Sequence, residues 1–143
     1  MRTGPSIYPF SAVLDIPITH TTIESVLTSV GDIPLWNPAI SRAQRVPQAR
    51  VGDDYRIWIK GFIPGTLRYT RIADGVITYE MKALGNQETG RWEMVPGEPG
   101  ARTVMHAFRH SGWLIEKMHS AFEPVALWRL QRLRTSLARG RWA

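Results

Sequence analysis

The chain has 143 residues, 43% of them hydrophobic, with 18 basic and 12 acidic side chains, no cysteine and a formal net charge of +6. That length suits one domain and is enough to bury a core without a metal or disulfide staple. The lack of cysteine excludes a disulfide framework, a zinc ribbon and a thiol nucleophile.

The charge is unevenly placed. Residues 1–123 hold 13 basic and 12 acidic side chains, a net of +1, whereas residues 124–143 hold Arg129, Arg132, Arg134, Arg139 and Arg141 and no acid, a net of +5. Basicity is therefore a property of the C-terminal segment. No run of about 18 apolar residues exists to span a membrane. Met1 to Phe10 lacks the apolar stretch of a secretory signal, so a soluble cytoplasmic protein is expected. One domain over residues 1–143 is expected, because no repeat, low-complexity segment or linker divides the chain.

In chain order, alternation predicts a first strand from about Ser11 to Ile18, with Pro17 marking a sheet edge or bulge. Thr21 and Glu24 have capping-box spacing, and Ile23, Val26, Leu27 and Val30 recur at helical spacing until Gly31. Ile33 to Pro38 is bounded by prolines and has room for one helical turn. An antiparallel meander then follows. A polar strand from Ile40 to Val51 leads to a turn at Gly52-Asp53-Asp54. Tyr55 to Ile59, Thr66 to Ile72, Val76 to Ala83, Thr89 to Val95 and Arg102 to His110 are the next strands. Ala73-Asp74-Gly75 reads as a hairpin turn and Pro96 to Gly100 as a wider one. Finally, Phe122, Ala126, Leu130, Leu133 and Leu137 form one apolar stripe of a long helix, flanked by Arg134 on one side and Arg129 and Arg132 on the other. The helix starts at Ser120-x-x-Glu123 or at Pro124.

Several segments carry a family likeness. They are Val13-Leu-Asp-Ile-Pro-Ile18, Thr22-Ile-Glu-Ser-Val-Leu27, Ile33-Pro-Leu-Trp-Asn-Pro-Ala-Ile40 and the Val51-Gly52 turn. Trp92-Glu-Met-Val-Pro96 followed by Gly100-Ala-Arg-Thr-Val104, and the helix Trp128-Arg-Leu-Gln-Arg-Leu133, complete the set. Over about residues 10–138 the chain resembles the START-like SRPBCC superfamily, in particular its polyketide cyclase/dehydrase group, and Trp-Asn-Pro is the most distinctive piece. The resemblance implies an α+β helix-grip fold, START/Bet v 1-like. A curved antiparallel sheet of about seven strands would grip a long C-terminal helix around a deep apolar cavity, with one or two short helices after the first strand. It implies functions from aromatase/cyclase and dehydratase chemistry to lipid, hormone or quinone association, with no universal catalytic motif.

Read as a cavity face, the alternation nominates Tyr55, Ile57, Ile59, Leu67, Tyr69, Ile77, Met81, Trp92, Met94, Phe108 and Trp128 as ligand-binding residues. The same residues have a second reading, as plain core packing. His106 and His110 share a strand face with Val104 and Phe108. His106 and Tyr79 are the candidates for proton transfer, the alternative for His106 being a hydrogen-bonded core residue. Arg71 falls on the face of Leu67 and Tyr69, either anchoring a ligand or lying at the rim. Trp36 either guards a pocket mouth or anchors the turn. His20, His106, His110 and His119 show no metal-ligand spacing, and no nucleotide-binding or nucleophile-elbow motif occurs, so no metal or cofactor is expected. The arginine-rich end has three readings: a solvated helix flank, a contact for an acidic carrier protein, or a contact for nucleic acid or an anionic membrane surface. Nucleic acid is not expected, since no aromatic recognition face accompanies the arginines. The function expected is binding of a mid-sized hydrophobic, aromatic or polyketide-like molecule by a monomer or homodimer. The protein would be a cyclase/dehydratase-like enzyme or, alternatively, a carrier or sensor.

Overall fold

Strand β1 (Phe10–Ile16) opens the chain and stops before Pro17. Helix α1 (His20–Leu27) and a 3₁₀ segment η1 (Val30–Leu35) follow. The meander comprises β2 (Ile40–Ala43), β3 (Asp54–Ile59), β4 (Ile63–Ala73), β5 (Val76–Ala83), β6 (Asn86–Pro96) and β7 (Arg102–Ser111). A second 3₁₀ segment, η2 (Ile115–Phe122), leads into helix α2 (Val125–Ala138). This computed structural model describes residues 8–96 and 102–139. Residues 97–100 of the expected Pro96–Gly100 turn, Arg141 and most of the Met1–Phe10 segment lie outside the described residues.

Seven strands form one antiparallel sheet in the order β1-β7-β6-β5-β4-β3-β2. Its concave face holds α1, η1 and α2, which is the helix-grip arrangement expected from the resemblance. The largest buried cluster joins Ile57, Leu67, Ile77, Trp92 and Val104 of the sheet to Ile23, Leu27, Ile33, Leu130 and Leu133 of the helices. No helix among the described residues is long and apolar enough to cross a membrane.

The boundaries show what the sequence hid. Thr19, not Thr21, occupies the N-cap of α1, so the expected capping box does not form; Glu24 instead meets His20 one turn earlier, at 3.2 Å. β2 spans four residues rather than continuing to Val51. Gln44 still donates to the Arg56 carbonyl of β3, but beyond it Val30 and Ala49 donate backbone N–H groups to Val46 and Thr28, tying this stretch to α1 and η1. The hairpin at Asp74-Gly75 is as expected, both residues having positive φ (55° and 76°), as a type I′ turn requires. A second turn of the same kind, Leu84-Gly85 (φ 52° and 78°), carries a leucine where Asn or Asp is usual. It therefore gave no turn signal, and β6 starts at Asn86, three residues before the expected Thr89.

Candidate functional site

Burial on the concave face is continuous. Tyr55, Ile57, Leu67, Tyr69, Ile77, Tyr79, Trp92, Met94, His106 and Phe108 are all buried, with Ile59 and Met81 half-buried beside them. Alternation produces this: in β5, Ile77 and Tyr79 point inward, and in β6, Glu88, Gly90, Trp92 and Met94 do. The face does not enclose the deep cavity expected. What remains is about 10 Å³, lined by Leu27, Ile33, Trp36, Leu67, Tyr69, Tyr79, Met81 and Trp92, or room for about one water. Aromatic bulk is the reason. Trp36 sits edge-on to Trp92 with centroids 5.1 Å apart, and the Tyr69 hydroxyl donates to the Leu27 carbonyl at 2.6 Å, drawing α1 onto the sheet. Trp36 is thus buried as an anchor and is also one wall of the residual cavity.

Two nominated residues lie elsewhere. Trp128 is 51% exposed on the outer side of α2. Arg71 faces solvent and reaches Asp74 at 3.5 Å. The cause is a β-bulge: Tyr69 pairs with Tyr79 but Arg71 pairs with Thr78, so the extra residue, Thr70, turns Arg71 away from the inner face. Phe108 packs with Phe10 and Ala126 in a separate cluster, away from the cavity.

Next to the cavity lies a buried polar network that composition alone did not announce. Arg129 of α2 donates to both carboxylate oxygens of Glu88, from Nη1 to Oε2 at 2.7 Å and from Nη2 to Oε1 at 3.1 Å. The Tyr79 hydroxyl donates to Glu88 Oε2 at 2.6 Å, and His110 Nε2 lies 2.9 Å from Oε1. Arg129 Nη1 also lies 3.2 Å from His106 Nε2, and its guanidinium sits over the Phe108 ring at 4.7 Å. The opposite side of His106 faces the Arg91 carbonyl, Nδ1 to O at 3.1 Å, and its ring stacks on Trp92 with centroids 3.7 Å apart. Cross-strand register assembles the set: Tyr79 faces Gly90, Glu88 faces His110, and Trp92 faces His106.

The protonation states follow from these contacts. Burial opposes the charge on Glu88, but the Arg129 cation and the hydrogen bonds from His110 and Arg129 outweigh it and hold the carboxyl far below its usual range. Burial, then the Arg129 charge, pushes His106 down to about 3, so it is neutral near pH 7. A neutral His106 that donates from Nδ1 to the Arg91 carbonyl must accept at Nε2, and Arg129 supplies that proton. The Nε2 lone pair is thereby occupied. Burial, then the Glu88 charge, raises Tyr79 well above an ordinary phenol, leaving it a neutral donor. Tyr79 is the one member of the network that also lines the cavity.

Glu88 and Arg129 are the residues that sequence reasoning missed. Glu88 fell outside a strand begun at Thr89. Arg129 is buried, whereas the sequence placed it on a solvated flank. A signal existed for it: at about 100° per residue, Arg129 lies only about 20° from Phe122, beside the apolar stripe. Buried Ser136 shows the inward face of α2 reaching past that edge.

No family model matches the chain, and no curated protein matches it significantly in sequence. Solved structures do match in shape. A START superfamily protein from Mycobacterium smegmatis has a TM-score of 0.67 at 17% identity, over 89% of this chain and 97% of that one. The Zhui aromatase/cyclase from Streptomyces sp. R1128 has a TM-score of 0.69 at 12% identity, over 90% and 92% of the two chains. DynU16, from the dynemicin biosynthetic locus, has a TM-score of 0.70 at 13% identity; it matches 96% of this chain, which spans about half (49%) of DynU16. What the chain shares with them is the fold.

Proposed function

We propose, on the premise of a START-like SRPBCC helix-grip fold, that the protein binds a mid-sized hydrophobic molecule, aromatic or polyketide-like, between the sheet and α2. The observation that carries this reading is the position of Tyr79, which lines a mostly apolar cavity while its hydroxyl is held by a buried carboxylate. With its proton committed to Glu88, the phenolic oxygen is a fixed acceptor, which suits a flat ligand with a hydroxyl group. The cavity has room for about one water, so a ligand of this size requires the Trp36 wall to move outward. In this reading Glu88, Arg129 and His106 position Tyr79 and do not touch the ligand.

A second reading, a cyclase/dehydratase-like enzyme, is favoured by the same hydroxyl. If substrate drew the Tyr79 proton from Glu88 onto its own carbonyl, the neutral tyrosine would polarise that group for ring closure, and confinement of the chain would supply much of the rate. His106 then acts through orientation, because its Nε2 lone pair already accepts from Arg129.

Native mass spectrometry of gently purified protein tests the binding reading. A reproducible adduct of a few hundred daltons, absent after organic extraction and restored on adding the extract back, is the expected result. Protein that shows only its bare mass, and whose melting temperature is unmoved by the cell extract, would refute it.

A further inference from the structure

We propose that the ligand enters between η1 and α2, and that it carries an acid group which Arg132 and Arg139 read at this entrance. The inference rests on the hydrophobic-ligand reading above and adds a route and a charge.

An open groove of about 410 Å³ runs between these elements, lined by Leu35, Pro38, Trp128, Gln131, Arg132 and Arg139 among others. Its lining includes two guanidinium groups and no carboxylate. Among the described residues neither arginine has an acidic partner within 4.0 Å. Trp128 presents a half-exposed indole one helical turn before Arg132. Flat apolar surface beside unpaired cations is the chemistry that holds an aromatic anion. Two of the five C-terminal arginines therefore meet at a concave surface.

The groove and the buried cavity share one thin wall. Leu35 lines the groove, while Ile33 and Trp36 line the cavity. The segment between is a single 3₁₀ stretch containing Pro34, whose side-chain tie to α2 is the Ser136 hydroxyl donating to the Leu35 carbonyl at 3.3 Å. Short 3₁₀ stretches have poorer hydrogen-bond geometry than α-helix and shift at lower cost. An independent observation points to a ligand here. Trp36 Nε1 and Asn37 Nδ2, both buried and next to each other at the end of η1, make no hydrogen bond among the described residues. Leaving such donors unpaired is costly, and an acceptor oxygen arriving with a ligand would satisfy Trp36.

The test pairs two probes of similar ring system, anionic 1-anilinonaphthalene-8-sulfonate and neutral N-phenyl-1-naphthylamine, titrated by fluorescence into the intact chain. The anion is expected to bind at least fivefold tighter at low salt, and the advantage should shrink as salt is raised. Arg132→Gln with Arg139→Gln should weaken the anion about tenfold and leave the neutral probe unchanged, since each exposed charge contributes modestly. Leu35→Cys with Ser136→Cys tests the route: the chain has no other thiol, so oxidation can form only this cross-link within it. Oxidised protein should take up both probes at least tenfold more slowly, with recovery on reduction. Equal affinity for the two probes, or an anion affinity indifferent to the arginine pair, overturns the charge inference while the ligand reading stands. Unchanged uptake by verified cross-linked protein overturns the route. Failure of both probes to bind the wild type counts against the ligand reading itself.

Discussion

Arg129→Met is the most informative single perturbation, because it removes the charge that keeps Glu88 ionised and leaves helix and volume nearly intact. Four hydrogen bonds disappear, two of them charge-assisted to Glu88 at 2.7 and 3.1 Å, one to His106 at 3.2 Å and a long one to the Tyr79 hydroxyl at 3.5 Å. Breaking a buried pair by deleting one partner costs about 3–5 kcal/mol, because the survivor is left charged and desolvated. Glu88 has an escape: it can take up a proton. With Arg129 gone, burial acts with less opposition and lifts the Glu88 folded-state pKa above its unfolded value. The sign of its pH dependence then reverses. In the wild type, Glu88 is depressed on folding, so its contribution is present above about pH 4.5 and is lost as pH falls below that value. His106 works in the same direction: depressed to about 3 from 6.5, it leaves the unfolded chain binding more protons between those values, and stability rises with pH across that window by up to about 5 kcal/mol. In the variant, the protonated Glu88 stabilises most below pH 4.5 and the contribution fades as pH rises, opposing His106. Urea unfolding followed by tryptophan fluorescence at pH 4, 5, 6 and 7 measures this. The gap between wild type and variant should be widest at pH 7 and narrow steadily toward pH 4. A variant that loses less than about 1 kcal/mol at pH 7 and keeps the wild-type slope would show that Arg129 does not hold Glu88.

Two further substitutions probe separate parts of the fold. Tyr79→Phe removes a donor 2.6 Å from a buried carboxylate and should cost about 1.5–3 kcal/mol in urea unfolding, with loss of any co-purifying ligand; unchanged stability would argue against the bond. Leu84→Asn places a residue suited to positive φ in the type I′ turn and removes an exposed leucine, so it should raise stability by about 0.5–1 kcal/mol in the same assay. A fall would mean that the leucine side chain makes a contact worth more than the relieved backbone.

Much of the sheet was legible because its inner face is buried and its outer face wet, which imposes a period of two on Tyr55 and Ile57 and again on Ile77 and Tyr79. The failures have local causes. A bulge adds one residue and flips everything after it, so Arg71 could not be placed without knowing that Thr70 is unpaired. The Leu84-Gly85 turn breaks the usual residue preference, which delayed β6 and left Glu88 unread. The stripe of α2 was drawn too narrowly at one edge, which excluded Arg129. These last two errors concealed the two halves of one ion pair, whose members lie 41 positions apart in sequence and share no local pattern. The cavity volume was beyond reach for another reason. Whether Trp36, Trp92, Tyr69 and Tyr79 leave a void depends on rotamers and helix placement at the scale of an ångström, which residue types do not encode.

Gly90 ties these threads together. It faces Tyr79 across β5 and β6, and a Cβ built there would overlap the Tyr79 Cζ and Oη atoms. The strand therefore needs glycine at this position so that the ring can lie flat and its hydroxyl can reach Glu88. Glycine is otherwise a poor strand residue, about 0.5–1 kcal/mol worse than alanine, so its presence is a cost that the tyrosine's placement explains. A double-mutant cycle separates this account from general backbone need. Gly90→Ala in the wild type should cost about 1–3 kcal/mol through overpacking. In a Tyr79→Leu background the obstructing ring is gone, and the same change should be neutral or stabilising. An equal cost in both backgrounds would mean that Gly90 serves the backbone alone. A cost confined to the tyrosine background would show that β6 is built around the orientation of Tyr79, which lines the cavity and bonds the ion pair.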